Sequence, residues 1–201
     1  MPSEARTFIE EARRAQIVAC AVDAIATLGY GKASLAKIAK LAEVSTGVII
    51  YHFGSKDELI RAVVEEVARI ATEMMVPRIM AETTAAGALR AYIESNLDFM
   101  RLHPRPLIAL VEIVGHGRAE DGGPGPYAAQ HETALTDLEK VLDWGRRTGE
   151  FRDFAMRPMA LAIRGAIDAV PAEMIKNPEL DLRDIARELV TLFTLATRST
   201  P

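Results

Sequence analysis

The residues of this chain best suited to chemistry are the polar and basic side chains between residues 32 and 56. Four lysines fall in this stretch against a single carboxylate, Glu43. Clustered positive charge beside hydroxyl groups is typical of a surface that contacts the phosphates of a nucleic acid. The lysines are Lys32, Lys37, Lys40 and Lys56.

Two short helices must position these side chains. Ser34 is a favourable N-cap, and the apolar residues after it recur at helical spacing. The pattern breaks at Glu43 and Val44 and starts again at Ser45, the next N-cap. Helices joined by so few residues cannot lie antiparallel, so they cross steeply. This is helix-turn-helix geometry, in which the second helix places its N-terminal residues in the major groove of DNA.

The stretch from residue 28 to residue 60 reads LGYGKASLAKIAKLAEVSTGVIIYHFGSKDELI, and it resembles the TetR family of bacterial transcriptional regulators. The shared features are a first helix ending in glycine and an aromatic residue, a serine that opens helix two, VS-x-G at the start of helix three, and Y-x-F-x-S-K-x-x-L leading into helix four. The chain departs from the family pattern at two positions, because Glu43 stands in place of a turn glycine and Ile50 in place of an aromatic residue.

The resemblance implies how helix three would contact DNA. Its first residues, with Ile50, face the bases, and Ile50 can offer only apolar contact to a thymine methyl group. Phe53 is expected to close the small core, which is the alternative role for Tyr51. The expected DNA-binding residues are Ser34, Lys37, Ser45, Thr46, Gly47, Val48, Ile50, Tyr51, His52 and Lys56.

The whole chain is predicted to be all-α, with about nine helices, because no stretch shows the alternation of a β-strand. We predict a three-helix DNA-binding domain over residues 1–55 and a helical ligand-binding and dimerisation domain over residues 56–201. Within the second domain, Pro77 is expected to end helix four. The glycine- and proline-rich stretch 117–126 is expected to be a loop.

The last two predicted helices carry long apolar faces that include several alanines. In the resembled family these helices pair with their copies in a four-helix dimer interface, and small residues allow close approach. The resemblance therefore implies a homodimer, with packing inside a single chain as the alternative role of these faces. The expected interface residues are Ala162, Ile163, Ala166, Ile167, Val170, Leu189, Leu192, Phe193 and Ala196.

Members of the resembled family bind a small-molecule effector among their middle helices. The polar and aromatic candidates for such a pocket here are Tyr92, Asn96, Phe99, His103, Glu112, His116 and Trp144. Trp144 is the single tryptophan, and a core role is its alternative. Scattered polar groups on helices do not define which molecule binds.

Metal binding and catalysis have fewer candidates. Glu112 and His116 are four residues apart and share one face of a helix, with His103 and His131 in neighbouring segments. The chain has neither an HExxH sequence nor clustered cysteines and histidines, and it lacks Gly-x-Ser-x-Gly. We therefore predict no metal site, no cofactor and no catalytic residue. A helical-bundle enzyme remains an alternative that rests on the Glu112 and His116 pair.

Composition and charge restrict the class of protein further. The 201 residues carry a formal net charge of -4, and the first 60 are neutral overall, with seven basic and seven acidic side chains. A single cysteine, Cys20, excludes an intrachain disulfide and is typical of a reducing compartment. No signal peptide is visible, and no apolar run approaches the ~20 residues that span a bilayer. We expect a cytoplasmic protein without a membrane partner.

Together these features predict a DNA-binding transcriptional regulator and not an enzyme. The expected form is a homodimeric repressor that reads a palindromic operator on double-stranded DNA and is released by an unknown small-molecule effector. The alternative is a ligand-binding protein that has lost DNA binding, which the departures at Glu43 and Ile50 favour. Such a protein would bind ligand without forming a salt-dependent DNA complex.

Overall fold

The structure is a computed structural model that describes residues 2–116, 125 and 127–199, with side chains from residue 8 onward. Within these residues the chain forms nine α-helices and one 3-10 helix, and its paired extended backbone is limited to an isolated bridge between Phe151 and Arg198. The predicted all-α class is confirmed. The predicted loop 117–126 lies, apart from residue 125, outside the described residues.

The helices account for most of the described chain. They are α1 (Pro2–Leu28), α2 (Leu35–Leu41), α3 (Thr46–Phe53), α4 (Lys56–Met80), α5 (Ala85–Leu102), α6 (Pro104–Gly115), α7 (Ala128–Thr148), α8 (Met156–Lys176) and α9 (Leu182–Thr197), with the 3-10 helix Tyr30–Lys32 after α1. Among the described helices, none combines the length and the apolar character that a membrane span requires.

The described residues form two compact units. The first contains those up to Ala68 and those from Arg105 to Ala128, and the second contains Arg69–Pro104 and those from Ala129 onward. Apolar side chains of α1 to α4, with two residues of α6, make the core of the first unit. In the second unit α9 packs along α5, and α8 also contacts α5.

Pro77 and Pro104 lie at helix ends, where the lost N–H donor matters least. The prediction that α4 ends at Pro77 is wrong, since the helix continues to Met80. Pro77 lies in the last turn, where its missing donor removes a single backbone bond, and the N–H of Ala81 still bonds to the Pro77 carbonyl at 3.1 Å. Pro104 begins α6, where the N–H groups of the first turn have no helical partner.

The turn between α2 and α3 holds Glu43 at φ 53°, the one left-handed non-glycine backbone in the described part of the chain. In this conformation the Cβ atom of an L-residue crowds the backbone, at a cost of about 1–2 kcal/mol. Glycine avoids that cost. The turn thus has a backbone that suits the glycine of the family pattern, with a glutamate in its place.

Glu43→Gly is expected to raise the free energy of unfolding by about 0.5–1 kcal/mol, because relief of the left-handed strain exceeds the greater freedom of glycine in the unfolded chain. Urea denaturation followed by circular dichroism measures the change. Glu43→Gln is the matched control, since it removes the same charge and keeps the strained backbone. Equal stabilisation by both variants would assign the effect to charge and contradict the strain.

Candidate nucleic-acid interface

The helix-turn-helix is positioned by one buried face on each of its two helices. Ile38 and Ala39 of α2, and Ile49 and Phe53 of α3, pack into the core of the first unit. Phe53 is therefore a core residue, as the sequence suggested. The burial of these four side chains decides which face of each helix stays exposed.

Both helices of the motif begin at the predicted serine caps. Oγ of Ser34 accepts a hydrogen bond from the backbone N–H of Lys37 at 3.4 Å, and Oγ of Ser45 accepts one from the N–H of Val48 at 3.3 Å. Each cap satisfies an N–H group that has no partner inside its helix. The caps therefore set where α2 and α3 begin.

The exposed face of α3 carries residues expected to read DNA. Ser45, Thr46 and Gly47 are exposed at its start. Ile50 is 41% exposed and Tyr51 is 75% exposed. A tyrosine with this exposure does not close the core, so its ring and hydroxyl are accessible to a partner. The alternative core role of Tyr51 does not fit the structure.

Two side chains of α1, which sequence reasoning missed, brace the motif. The guanidinium of Arg14 donates to the carbonyl of His52 at 2.7 Å and lies 4.2 Å from the centre of the Phe53 ring. Nε2 of Gln16 donates to the carbonyl of Ala42 at 3.2 Å. Both bonds satisfy carbonyl groups at the C-terminal end of a short helix, where backbone donors are missing.

The two lysines expected to contact phosphates have partners within the first unit. Nζ of Lys37 donates to the carbonyl of Lys32 at 2.9 Å. Nζ of Lys56 lies 4.8 Å from the centre of the Tyr30 ring, in a cation–π contact. An ammonium group has three N–H donors, so each lysine retains the capacity to bind a phosphate oxygen.

Glu112 and His116 contact the connector that follows α1. The Glu112 carboxylate accepts a hydrogen bond from the N–H of Tyr30 at 3.0 Å, and the ring of His116 stacks on Tyr30 with centroids 4.8 Å apart. Nδ1 of His116 lies 2.7 Å from the backbone oxygen of Glu112. Glu112 therefore caps the 3-10 helix. Across the described ranges, no group of three or more His, Cys, Asp and Glu side chains is suited to a metal ion.

Cys20 is a half-buried thiol of α1. Partial burial raises the pKa of the thiol above its usual value, and the charges of Asp23 and Glu43 raise the pKa further. A raised pKa keeps the sulfur protonated near neutral pH, and the thiol form is a poor nucleophile. This supports a packing role for Cys20.

The residues expected to form an effector pocket are divided between the two units. Tyr92, Asn96 and Phe99 are buried in α5 of the second unit, and the ring of His103 stacks on Phe99 with centroids 5.1 Å apart. Trp144 is half-buried on α7 of the same unit. The other two candidates, the glutamate and the histidine that contact the connector after α1, belong to the first unit.

A buried arginine that sequence reasoning missed joins two of these residues. Nη1 of Arg164 donates to the hydroxyl of Tyr92 and to Oδ1 of Asn96, each at 3.1 Å. Nε of Arg164 donates to Oδ1 of Asp168 at 2.9 Å, and Nε2 of His131 lies 3.5 Å from Oδ2 of Asp168. This Arg164 cluster brings charged and polar groups together inside the helical second unit.

The residues expected at a dimer interface differ in exposure. Ala162 and Leu192 are exposed, while Ala166, Leu189 and Ala196 are half-buried. The remaining residues pack inside the single chain, which was the alternative role of these helix faces. These core residues are Ile163, Ile167, Val170 and Phe193. The homodimer stays a prediction, and it depends on the exposed part of α8 and α9.

A helical chain with a capped and braced helix-turn-helix, whose second helix is exposed, has the architecture of a DNA-binding protein. Residues 17–63 match the family model described as bacterial regulatory proteins of the tetR family. The HTH-type transcriptional regulator BetI from Ectopseudomonas mendocina is 26% identical over 193 residues, with coverage of 86% of this chain and 92% of BetI.

Two solved structures share the fold at low sequence identity. A TetR-family transcriptional regulator from Rhodococcus sp. has a TM-score of 0.81 and 18% identity, covering 91% of this chain and 99% of its own. AibR in complex with isovaleryl coenzyme A and operator DNA has a TM-score of 0.73 and 18% identity, covering 90% of this chain and 97% of its own. Residues 17–63 thus carry the DNA-binding region of the tetR family, and the match to BetI together with the shared fold supports a TetR-family transcriptional regulator.

Proposed function

We propose that the protein is a homodimeric repressor that acts in the cytoplasm, reads a palindromic operator and is released from DNA by a small-molecule effector. The observation that carries this proposal is the exposed face of α3. Thr46, Ile50 and Tyr51 are accessible on this face, while the opposite face of the helix is buried in the core and braced from α1. We assign DNA binding to residues 1–55, and effector binding and dimerisation to residues 56–201.

Base reading is assigned to the exposed start of α3. The Thr46 hydroxyl can hydrogen-bond to a base edge, and Ile50 can contact a thymine methyl group. Tyr51 and Lys56 are assigned to phosphates on one flank, and Lys37 to phosphates on the other. Phosphate contacts hold the register of the protein on the duplex, while the base contacts supply specificity.

Dimerisation is assigned to exposed apolar side chains of α8 and α9. Leu161 of α8 is 47% exposed, and Leu192 and Leu195 of α9 are 55% and 54% exposed. A two-fold dimer uses the same patch on both chains. Its two helix-turn-helix motifs would then read half-sites about one DNA turn apart, which is why the operator should be palindromic.

Effector binding is assigned to the Arg164 cluster of the second unit. A guanidinium held among buried polar groups is suited to bind an anionic or hydrogen-bonding molecule. AibR, which shares the fold, has been captured with both isovaleryl coenzyme A and operator DNA. An effector that binds better to the arrangement without DNA shifts the population away from DNA, by no more than its differential affinity for the two states.

Thr46→Ala is expected to change the preference between operator sequences, with a loss of ~1–3 kcal/mol at the contacted base pair. Tyr51→Ala is expected to weaken binding to all sequences alike, because a phosphate contact carries no sequence information. The measurement is a selection of genomic fragments with the purified protein at two salt concentrations, followed by titration of each variant on the recovered sites.

Lys140→Ala is the matched control, since it removes an exposed lysine of α7 in the second unit and should leave recovery unchanged. A palindromic site whose binding weakens with salt supports the proposal. Equal loss on every sequence for Thr46→Ala would argue against its base-reading role. If no fragment is enriched even at low salt, the protein is a ligand-binding member of the family that does not bind DNA.

A further inference from the structure

A surface groove of the second unit is rich in arginine. It runs between α5 and α9, beside the last turns of α4, and has a volume of about 490 Å³. Five arginines and two carboxylates line it, together with apolar residues that include Leu97, Ala186 and Val190. The lining of the groove therefore combines a net positive charge with apolar side chains. Its arginines are Arg78, Arg90, Arg101, Arg183 and Arg187.

Three of the five guanidinium groups are held by carboxylates. Arg78 and Arg101 bind the two carboxylate oxygens of Asp98, at 2.8 Å and 3.1 Å, and Arg187 pairs with Asp184. Burial alone would raise the pKa of Asp98, but the hydrogen bonds from these two arginines outweigh it and lower the pKa. Asp98 thus stays ionised at neutral pH and neutralises one of the two charges that it contacts.

The other two guanidinium groups, of Arg90 and Arg183, form no ion pair within 4.0 Å among the residues that the structure describes, although Glu94 lines the same groove. Arg90 projects from α5 and Arg183 from the first turn of α9. Like charges that share one groove repel each other, and this repulsion is relieved when an anion enters. Guanidinium groups bind phosphate and carboxylate oxygens through paired N–H donors, which favours ligands with several oxyanion groups.

The groove differs from the candidate effector pocket. On α5 the groove uses Arg90, Glu94 and Arg101, whereas the Arg164 cluster uses Tyr92 and Asn96. Tyr92 follows Arg90 by two residues and Asn96 follows Glu94 by two, and each step of two corresponds to about 200° of rotation around the helix. They therefore lie on nearly opposite faces of α5, and a ligand in the groove would not occupy the buried cluster.

We propose that this groove binds a small multivalent oxyanion, a molecule with several phosphate or carboxylate groups, through Arg90 and Arg183 with help from Arg78 and Arg101. Its size suits a compact ligand. The two carboxylates of the lining, Glu94 and Asp98, would repel a long polyanion that tracks the whole groove. The site is separate from the assigned DNA-binding and effector residues, so it can fail without affecting the proposed repressor function.

The test is isothermal titration of the full chain with sodium pyrophosphate and, separately, with sodium citrate, at low and fixed ionic strength. We expect one binding event per chain. The double variant Arg90→Gln and Arg183→Gln should weaken it by about tenfold or more, because each lost guanidinium removes charge-assisted hydrogen bonds. The double variant Arg90→Lys and Arg183→Lys should recover part of the affinity, since it keeps the charges and loses the paired donors.

Two further variants give the test its controls. The double variant Lys140→Gln and Arg147→Gln removes two positive charges, as many as the arginine-to-glutamine variant, from exposed positions of α7. It should leave the affinity unchanged. Asp98→Asn releases Arg78 and Arg101 and should tighten binding by roughly two- to fivefold, as expected for a competing carboxylate that is partly exposed.

The results can overturn the proposal in three ways. The first is that neither pyrophosphate nor citrate binds the wild-type chain. The second is that the arginine variants bind as tightly as the wild type. The third is that the α7 control variant weakens binding as much as the arginine variants do. Tighter binding of pyrophosphate than of citrate would assign the groove to phosphorylated molecules, and the reverse order would assign it to polycarboxylates.

Discussion

Replacing Arg164 with methionine is expected to lower the free energy of unfolding by about 2–3 kcal/mol. Removal of one partner from a buried ion pair costs about 3–5 kcal/mol, and the value here is reduced because the Asp168 side chain is one-third exposed. The variant also leaves the Tyr92 hydroxyl and Oδ1 of Asn96 without their donor. Urea denaturation, followed by circular dichroism, measures the loss.

The matched control for this prediction lies two turns earlier on the same helix. Arg157 pairs with Glu132 and Glu139, but its side chain is 41% exposed, so Arg157→Met should have a much smaller effect. Arg164→Lys should fall between the wild type and Arg164→Met, because it keeps the charge and loses the forked donors. Equal losses for the two methionine variants would show that burial of the Arg164 cluster contributes no additional stability.

Gly145→Ala is expected to destabilise the protein by roughly 2 kcal/mol, although alanine is the better helix former by up to ~1 kcal/mol. A Cβ atom at position 145 would stand 2.2 Å from Cδ2 and 2.7 Å from Cγ of Phe151. The Phe151 ring cannot move away easily, because it is 4% exposed and its backbone N–H bonds to the Gly145 carbonyl at 3.0 Å. The melting temperature should fall by about 4–8 °C.

Gly165→Ala is the control for this steric clash. Gly165 also lies inside a helix, and an added Cβ would meet no atom within 4 Å beyond its chain neighbours and the local helix backbone, so alanine there should stabilise by up to ~1 kcal/mol. A double-mutant cycle of Gly145→Ala with Phe151→Leu should show strong coupling, because the smaller side chain makes room for the methyl group. Additive effects in this cycle would contradict the clash.

The caps and the helix starts of the DNA-binding motif could be predicted because their partners are close in the chain. The serines at positions 34 and 45 bond to N–H groups only three residues later. Gly29 follows α1 with φ 80°, as expected for a helix stop, and such backbone preferences are a local property. The family resemblance lies in the same local pattern, so the first 60 residues also indicated the class of protein.

The residues that hold the candidate sites together could not be predicted, because they depend on which helix faces meet. Arg14 binds a carbonyl 38 residues away, Glu112 caps an N–H 82 residues away, and Arg164 reaches Tyr92 across 72 residues. A charged residue in a helix has the same local pattern whether it faces solvent or a buried partner.

The apolar faces of α8 likewise show that the local sequence does not determine which surfaces meet. Their hydrophobic spacing was evident in the sequence, and it is compatible with a dimer interface or with a core. Burial of Ile163, Ile167 and Val170 inside one chain follows from the way the helices of the second unit pack. The sequence by itself determined the all-helical class and the capped helix starts of the DNA-binding motif, since these follow from contacts within a few residues. The tertiary structure decided which side chains are braced, buried or exposed, because those depend on surfaces brought together from distant parts of the chain.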